Sequence, residues 1–161
     1  MIVDAADYYR HALDAMLKAK SQIFVIGWDF DTRVKLARTS PRPNVPTTIG
    51  PLFSWLTAKR PDLQIHVLAW GEGLLWVPGR GTTMFRLLRW HWDDRISLKW
   101  DSAHPLNASH HQKILVIDDC VGFCGGIDIT AERWDTRQHL DHEPFRKRPF
   151  TRRPYGPWHD A

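Results

Sequence analysis

The chain has 161 residues, of which 43% are hydrophobic and 25% are charged; 22 basic and 18 acidic side chains give a formal net charge of +4. This apolar share is sufficient for a hydrophobic core and excludes extensive disorder, because buried apolar surface offsets the entropy lost on ordering. Every apolar run is far shorter than the roughly 20 residues of a membrane-spanning helix. We expect one domain, without a membrane span and without a secretory signal at the amino-terminus.

Hydrophobic periodicity predicts an alternation of helices and strands over most of the chain. The predicted elements are, in chain order, a helix over 4–20, a strand over 21–28, a long loop over 29–46, a helix from 47 or 48 to 59, a strand over 63–70, a helix over 82–92, a strand over 95–100, a polar loop over 101–110, and strands over 113–117 and 121–123. Asp4 and either Thr47 or Thr48 are residue types that cap helix amino-termini. After Asp128 the chain is rich in Arg, His and Pro, and we expect it to be irregular.

The order of these elements predicts the α/β class. Strands separated by helices pair in parallel, whereas the last two strands are close enough in sequence to form a hairpin. We therefore expect a mixed, mainly parallel sheet flanked by helices, in an α/β/α arrangement. The predicted α/β domain covers residues 1–136, and residues 137–161 form a basic, proline-rich C-terminal segment.

The C-terminal segment carries six basic and three acidic side chains, which is most of the chain's net positive charge. Clustered positive charge attracts the phosphates of lipid or nucleic acid. A solvated, partly extended tail would have the same composition. Composition alone leaves both interpretations open.

The chain has two cysteines, Cys120 and Cys124, on either side of the apolar run 121–123. Cysteine in apolar surroundings usually behaves as a small hydrophobic side chain. We therefore expect both to be buried, rather than to form a redox pair or a zinc site.

The residues that suggest chemistry lie between 107 and 135. His111 and Lys113 are two residues apart, so their side chains project from one face at the start of a strand. A neutral imidazole can attack phosphorus, and an ammonium beside it can neutralise charge on the phosphate oxygens. Asp118 follows near the far end of the same strand, where it can fix local geometry or pair with a cation. A lone His-x-Lys also occurs by chance, so the wider pattern decides the interpretation.

That wider pattern resembles the phospholipase D superfamily. His111-Gln112-Lys113 with Asp118 is similar to the His-x-Lys-x4-Asp signature of that family, and Gly125-Gly126-Ile127-Asp128 to the Gly-Gly-x-Asp that follows it. Three flanking stretches resemble true phospholipases D and their bacterial relatives: Gly27-Trp28-Asp29-Phe30-Asp31, Arg133-Trp134-Asp135 and Pro157-Trp158-His159-Asp160. The resemblance covers nearly the whole chain and is greatest to the N-terminal half of bacterial phospholipase D-like proteins.

The resemblance implies a phosphodiesterase that acts on phospholipids through a covalent phosphohistidine. The catalytic set that it implies is His111 as nucleophile, Lys113 as phosphate ligand and Asp118 as a structural or orienting member. The residues that it implies for the phosphate pocket are Gly125, Gly126 and Asp128. It further implies hydrolysis or headgroup transfer without a metal or other cofactor, in the cytoplasm and peripherally at a membrane surface.

One motif is half of what this chemistry needs. Among nine histidines, only His111 has Lys two residues later and Asp seven residues later. One histidine cannot attack phosphorus and protonate the leaving alcohol from the opposite side at once. We expect the second motif to come from a homodimer or from a missing C-terminal half. The alternatives are a metal-independent nuclease of the same superfamily, with nucleic acid as its partner, or an inactive fragment that binds only phosphate or lipid.

Overall fold

The computed structural model describes residues 1–70, 89–103, 110–149 and 151–156. Its elements are α1 (Ala5–Met16), β1 (Gln22–Gly27), α2 (Ile49–Lys59), β2 (Gln64–Trp70), β3 (Ile96–Asp101), β4 (Ile114–Ile117) and β5 (Val121–Cys124). The helices and strands predicted over these residues are confirmed, with shifted ends. The helix predicted over 82–92, the polar loop over 101–110 and the stretch 157–160 lie wholly or largely outside the described residues. No described helix is long and apolar enough to cross a membrane.

The five strands form one sheet in the order β3-β2-β1-β4-β5. β1 pairs in parallel with β2, and β2 with β3, whereas β4 is antiparallel to both of its neighbours. Four strands therefore run in the same direction, which confirms the α/β class and the mixed, mainly parallel sheet. The carboxyl ends of β1, β2 and β3 meet the start of β4 and the end of β5 at one edge, which we call the carboxyl edge.

One face of this sheet supplies the core. Alternate residues of β1, β2 and β4 are buried and oppose one another in the strand register, namely Ile23, Val25, Ile65, Val67, Leu115 and Ile117. They form one hydrophobic cluster with the buried stripe of α1, which includes Tyr9, Leu13 and Met16. Burying each large apolar side chain contributes about 1.5–3 kcal/mol, so the packed face holds the carboxyl edge in place.

The predicted side-chain caps are wrong. Neither Asp4 nor Thr48 caps its helix with a side-chain hydrogen bond. Asp4 has a φ of 69°, whereas a residue that caps a helix amino-terminus usually has the negative φ of extended backbone. Its carboxylate instead lies 3.5 Å from Nε2 of His139, in the C-terminal segment.

The prediction that both cysteines are buried is also wrong, because Cys120 and Cys124 are exposed. Cys120 lies in the turn between β4 and β5 rather than in a strand. β5 is at the edge of the described sheet, and it is Phe123 that packs towards α1, with its ring 5.9 Å from that of Tyr8.

Arg146 fastens the C-terminal segment to the domain. Its side chain is 1% exposed, and Nη1 lies 3.3 Å from each carboxylate oxygen of Asp135. Nη2 donates hydrogen bonds to the carbonyl oxygens of Leu140 and Asp141. A solvated tail is therefore the wrong interpretation around Arg146, whereas the domain division at residue 136 stays a prediction.

Replacing Arg146 by methionine removes the buried cation that faces Asp135. We expect Arg146→Met to lower the free energy of unfolding by about 3 kcal/mol, because removing one partner of a buried ion pair is costly even though Asp135 keeps its contact with His139. Urea denaturation followed by circular dichroism measures this loss. Arg153→Met is the control, because Arg153 is exposed, and it should change stability by less than about 0.5 kcal/mol. Equal losses in both variants would contradict the anchoring role.

Candidate active site

A buried ion pair lies at the carboxyl edge of the sheet. The ammonium of Lys113, just before β4, is 3.1 Å from Oδ2 of Asp128, and the two side chains are only 5% and 2% exposed. The same ammonium donates a hydrogen bond of 3.1 Å to the carbonyl oxygen of His111. An ammonium has three N–H donors, so these two contacts fix its direction and leave donor capacity for a ligand.

Asp128 connects this lysine to two other elements. Its Oδ1 accepts a hydrogen bond of 2.8 Å from the backbone N–H of Trp28, directly after β1. Its backbone carbonyl accepts one of 2.7 Å from the hydroxyl of Tyr9 on α1. Asp128 is thus the group that positions Lys113, and its predicted place in the phosphate pocket stays a prediction.

Gly27, the last residue of β1, makes room for the carboxylate of Asp128. A Cβ at this position would lie 2.9 Å from Oδ1 of Asp128 and 3.2 Å from the carbonyl oxygen of Asp29. A contact of 2.9 Å is shorter than a Cβ normally makes, so a side chain at this position would displace the carboxylate of Asp128. The sequence analysis did not assign Gly27 to the site, although it lies in one of the stretches that carried the resemblance.

His111 is exposed, and its ring contacts Trp28, which together with Trp70 was not predicted as a site residue. Its ring meets that of Trp28 edge-on, with 5.9 Å between centroids, and Trp28 stacks on Trp70 at 5.5 Å. The register could have indicated this pair, because Gly27 is opposite Ala69 and the next residues are the two tryptophans. Since Asp128 holds the backbone of Trp28, one carboxylate positions both Lys113 and the indole beside His111.

Gly125 and Gly126 follow β5 and flank the same lysine. The N–H of Gly125 donates to the carbonyl of Lys113 at 3.2 Å, and a Cβ at either glycine would meet no atom within 4 Å. Both glycines line a groove of about 370 Å³ with Lys113 and Tyr8. Burial, together with the negative charge of Asp128, raises the pKa of Tyr8 to about 12, so this phenol remains protonated at neutral pH. The structure thus brings both glycines to the lysine, and their binding of substrate stays a prediction.

Asp118 holds the start of β1. Its Oδ2 accepts a hydrogen bond of 2.7 Å from the N–H of Lys20, and Oδ1 accepts bonds of 2.8 and 2.9 Å from the N–H groups of Ser21 and Gln22. The hydroxyl of Ser21 donates another. Burial opposes ionisation here, but these hydrogen bonds outweigh it and lower the pKa of Asp118 to about 2.

This position separates Asp118 from the other predicted site residues. Strand β4 lies between it and Lys113, and Ile117 pairs with Ile23 near the opposite edge of the sheet from the ion pair. Asp118 and Asp119 have φ of 52° and 54° and form the turn of the β4–β5 hairpin, a conformation that aspartate tolerates. Asp118 fixes the hairpin against β1, and its place in the catalytic set stays a prediction.

His110 lies beside a different groove from Lys113. It pairs through Nδ1 with the carboxylate of Asp101 at the end of β3, and both line a groove that includes Gln112 and Trp70. The alternation of side chains before β4 explains why neighbouring residues diverge in this way. Among the described residues, no three His, Cys, Asp or Glu side chains are grouped to hold a metal ion.

No protein-family model matches this sequence. The chain is 29% identical over 155 residues to phospholipase D B of Dictyostelium discoideum and 30% identical over 193 residues to phospholipase D alpha 1 of Vigna unguiculata. These alignments cover 96% and 91% of the chain. In structure it is similar to Nuc, a phospholipase D family member of Salmonella typhimurium, with a TM-score of 0.53 over 80% of this chain and 69% of that chain.

The chain belongs to the phospholipase D superfamily. The similarity to Nuc, at 16% sequence identity, concerns the fold. The similarity to the two phospholipases D concerns the sequence, but the chain spans only 12% and 24% of their respective lengths. Membership of this superfamily makes the carboxyl edge, where His111, Lys113 and Asp128 lie, the candidate active site.

The close approach of Gly27 and Asp128 predicts that adding one methyl group at position 27 destabilises the fold. We expect Gly27→Ala to push the carboxylate away from Lys113 and to lower the free energy of unfolding by about 1–3 kcal/mol. Gly122→Ala is the matched control, because a Cβ there meets nothing within 4 Å. Thermal and urea denaturation measure both variants, and equal stability of the two would contradict the close approach.

The hydrogen bonds of Asp118 predict an acid-sensitive contribution to stability. Because its pKa is about 2 in the folded chain and 3.8 ordinarily, this contribution is present above the ordinary pKa and lost as pH falls through the folded value. We expect the free energy of unfolding to fall more steeply between about pH 4 and 2 in the unsubstituted chain than in Asp118→Asn. Urea denaturation across this range measures the slopes.

Asp119→Asn is the control for that experiment, because its carboxylate accepts a hydrogen bond only from the side chain of Gln22 among the contacts described here. The Asp119→Asn variant should keep the steep acid slope. If Asp118→Asn kept it as well, the acid-sensitive group would be another carboxylate.

Proposed function

We propose that this chain supplies one half of a phospholipase D-type active site, with His111 as the nucleophile and Lys113 as a phosphate ligand. The observation that carries the proposal is the ammonium of Lys113, held 3.1 Å from the Asp128 carboxylate and 3.1 Å from the backbone carbonyl oxygen of His111, whose side chain is exposed. An accessible imidazole and a directed ammonium are the two groups that attack on a phosphodiester requires.

The proposed reaction has two steps. In the first, a ring nitrogen of His111 forms a bond to phosphorus as the bond between phosphorus and the headgroup oxygen breaks, and the leaving alcohol takes a proton from a second histidine. In the second, water loses a proton to that histidine and attacks phosphorus, which breaks the bond to His111 and releases phosphatidic acid. An alcohol in place of water would give headgroup transfer.

In both steps, Lys113 interacts with the non-bridging phosphate oxygens. Charge builds up on these oxygens in the transition state, and a prepositioned ammonium stabilises it without reorganisation. Asp128 keeps the ammonium directed. Gly125 and Gly126 leave the approach to Lys113 open, and Trp28 supports the ring of His111.

The second histidine would come from a second copy of the chain or from a further domain of a longer protein. A twofold homodimer would bring two identical motifs to face each other. The relatives support the other source as well, since the chain spans only 12% of phospholipase D B and 24% of phospholipase D alpha 1.

We favour phospholipid as substrate because both relatives quoted above carry the name phospholipase D. Such a substrate requires contact with a membrane surface, and a peripheral position in the cytoplasm belongs to the same proposal. The net charge of +4 also suits nucleic acid. A nuclease with the same chemistry is therefore the second candidate.

The proposal predicts metal-independent activity that depends on His111. We expect the chain, or the longer protein that contains it, to release headgroup from phosphatidylcholine vesicles in the presence of a chelator. We expect His111→Asn to lower the rate by at least about a thousandfold, as loss of a nucleophile does in other enzymes. His142→Asn, at another exposed histidine, should keep full activity.

The same fractions should be analysed by light scattering, mass spectrometry and an assay on DNA and RNA. Activity in a dimer peak would assign the second histidine to a second copy, whereas activity only in the longer protein would assign it to a further domain. A phosphoryl adduct on His111 would support the covalent step. Cleavage of nucleic acid with untouched vesicles would favour the nuclease, and inactivity of both proteins on every substrate would overturn the proposal.

A further inference from the structure

A second cleft lies between the loop after β1 and the C-terminal segment, and the proposed reaction does not use it. Its volume is about 400 Å³. Five of its lining side chains are cationic, namely Arg33, Lys35, Lys147, Arg148 and Arg152. Among the lining residues that the structure describes, Glu132 is the one acidic residue. Cations therefore outnumber acids in this described lining by five to one.

Three of the five cations are available to a ligand. Arg33 is held by Asp31 at 2.8 Å, and Arg148 by Glu132 at 2.8 Å. The remaining three, Lys35, Lys147 and Arg152, are exposed and contact no carboxylate among the described residues. They come from two segments more than a hundred residues apart, so the fold, and not local sequence, brings them to one cleft.

The walls of this cleft are fixed by packing. The rings of Trp134 and Phe145 meet edge-on with 4.5 Å between centroids, and Arg38 stacks over Trp134 at 4.7 Å while it pairs with Glu143 at 2.6 Å. The hydroxyl of Tyr155 donates to the carbonyl of Trp134 at 3.1 Å. A cleft held in this way loses little conformational entropy when a ligand enters.

We propose that this cationic cleft binds a phosphate monoester. A phosphate monoester carries a charge of about −1.5 to −2 at neutral pH, which suits three unpaired cations better than the single charge of a diester. Lysine and arginine are the usual phosphate ligands. The ring of Phe145, over which Lys35 lies at 5.8 Å, is half-buried in the wall of the cleft. The inference does not depend on the reaction proposed for His111.

The test measures binding to the intact chain with three probes, which are inorganic phosphate, glycerol 3-phosphate, and phosphatidylcholine vesicles that contain phosphatidic acid. Calorimetry suits the soluble probes and co-sedimentation suits the vesicles. The cleft variant is Lys35→Ala/Lys147→Ala/Arg152→Ala, at three exposed positions whose replacement leaves the core intact. The control variant, Lys18→Ala/Arg42→Ala/Lys59→Ala, loses the same charge at exposed positions outside the cleft.

We expect the unsubstituted chain, the control variant and His111→Asn to bind alike, and the cleft variant to bind at least about tenfold more weakly. Binding of glycerol 3-phosphate would identify a free phosphate ester as the ligand, whereas binding of vesicles alone would identify a lipid headgroup. Equal weakening in the cleft and control variants would reduce the effect to overall charge and overturn the proposal. Loss of binding in His111→Asn, or no binding of any probe, would also overturn it.

Discussion

The ion pair between Lys113 and Asp128 is the interaction on which the carboxyl edge depends. Both side chains are almost fully buried, and either charge alone would cost several kcal/mol to remove from water, so each requires the other. Asp128 also binds the backbone N–H of Trp28. One carboxylate thus joins the end of β1, the start of β4 and the segment after β5, and Gly27 is the residue that lets it come so close.

This pairing has a chemical consequence for the proposed site. An ammonium already matched by a carboxylate attracts a phosphate less strongly than a free one, because the two charges nearly cancel at a distance. The pairing instead fixes the direction of the Lys113 ammonium, which is what the proposed role as phosphate ligand requires. A site that gains little from net charge needs a further cation or proton donor on the other side of the phosphate. The electrostatics and the histidine count therefore support the proposed second motif by two separate routes.

Much of the fold and part of the site could be predicted from the sequence. Period-two and helical spacing located the described strands and helices, because burial of one sheet face and one helix face imposes these periods. Spacing also placed His111 and Lys113 together. It could not reveal that Asp128 pairs with Lys113, or that Trp28 and Trp70 stack, because these contacts join segments far apart in sequence. The cysteine prediction failed for a related reason, since an apolar run does not reveal that its strand lies at an edge.

The two surfaces that we assign to phosphate binding, the carboxyl edge and the cationic cleft, differ in whether their cations are buried and paired. At the carboxyl edge, Lys113 is buried and paired, which favours precise orientation over attraction. In the cationic cleft, Lys35 and Lys147 are exposed and contact no carboxylate in the part of the chain that the structure describes, which favours attraction over orientation. The net charge of +4 therefore describes the cleft better than the proposed catalytic site. A reaction centre must release its product, and a lysine paired with a carboxylate is compatible with release. A cleft in which several cations contact no carboxylate among the described residues is instead suited to retaining an anionic ligand.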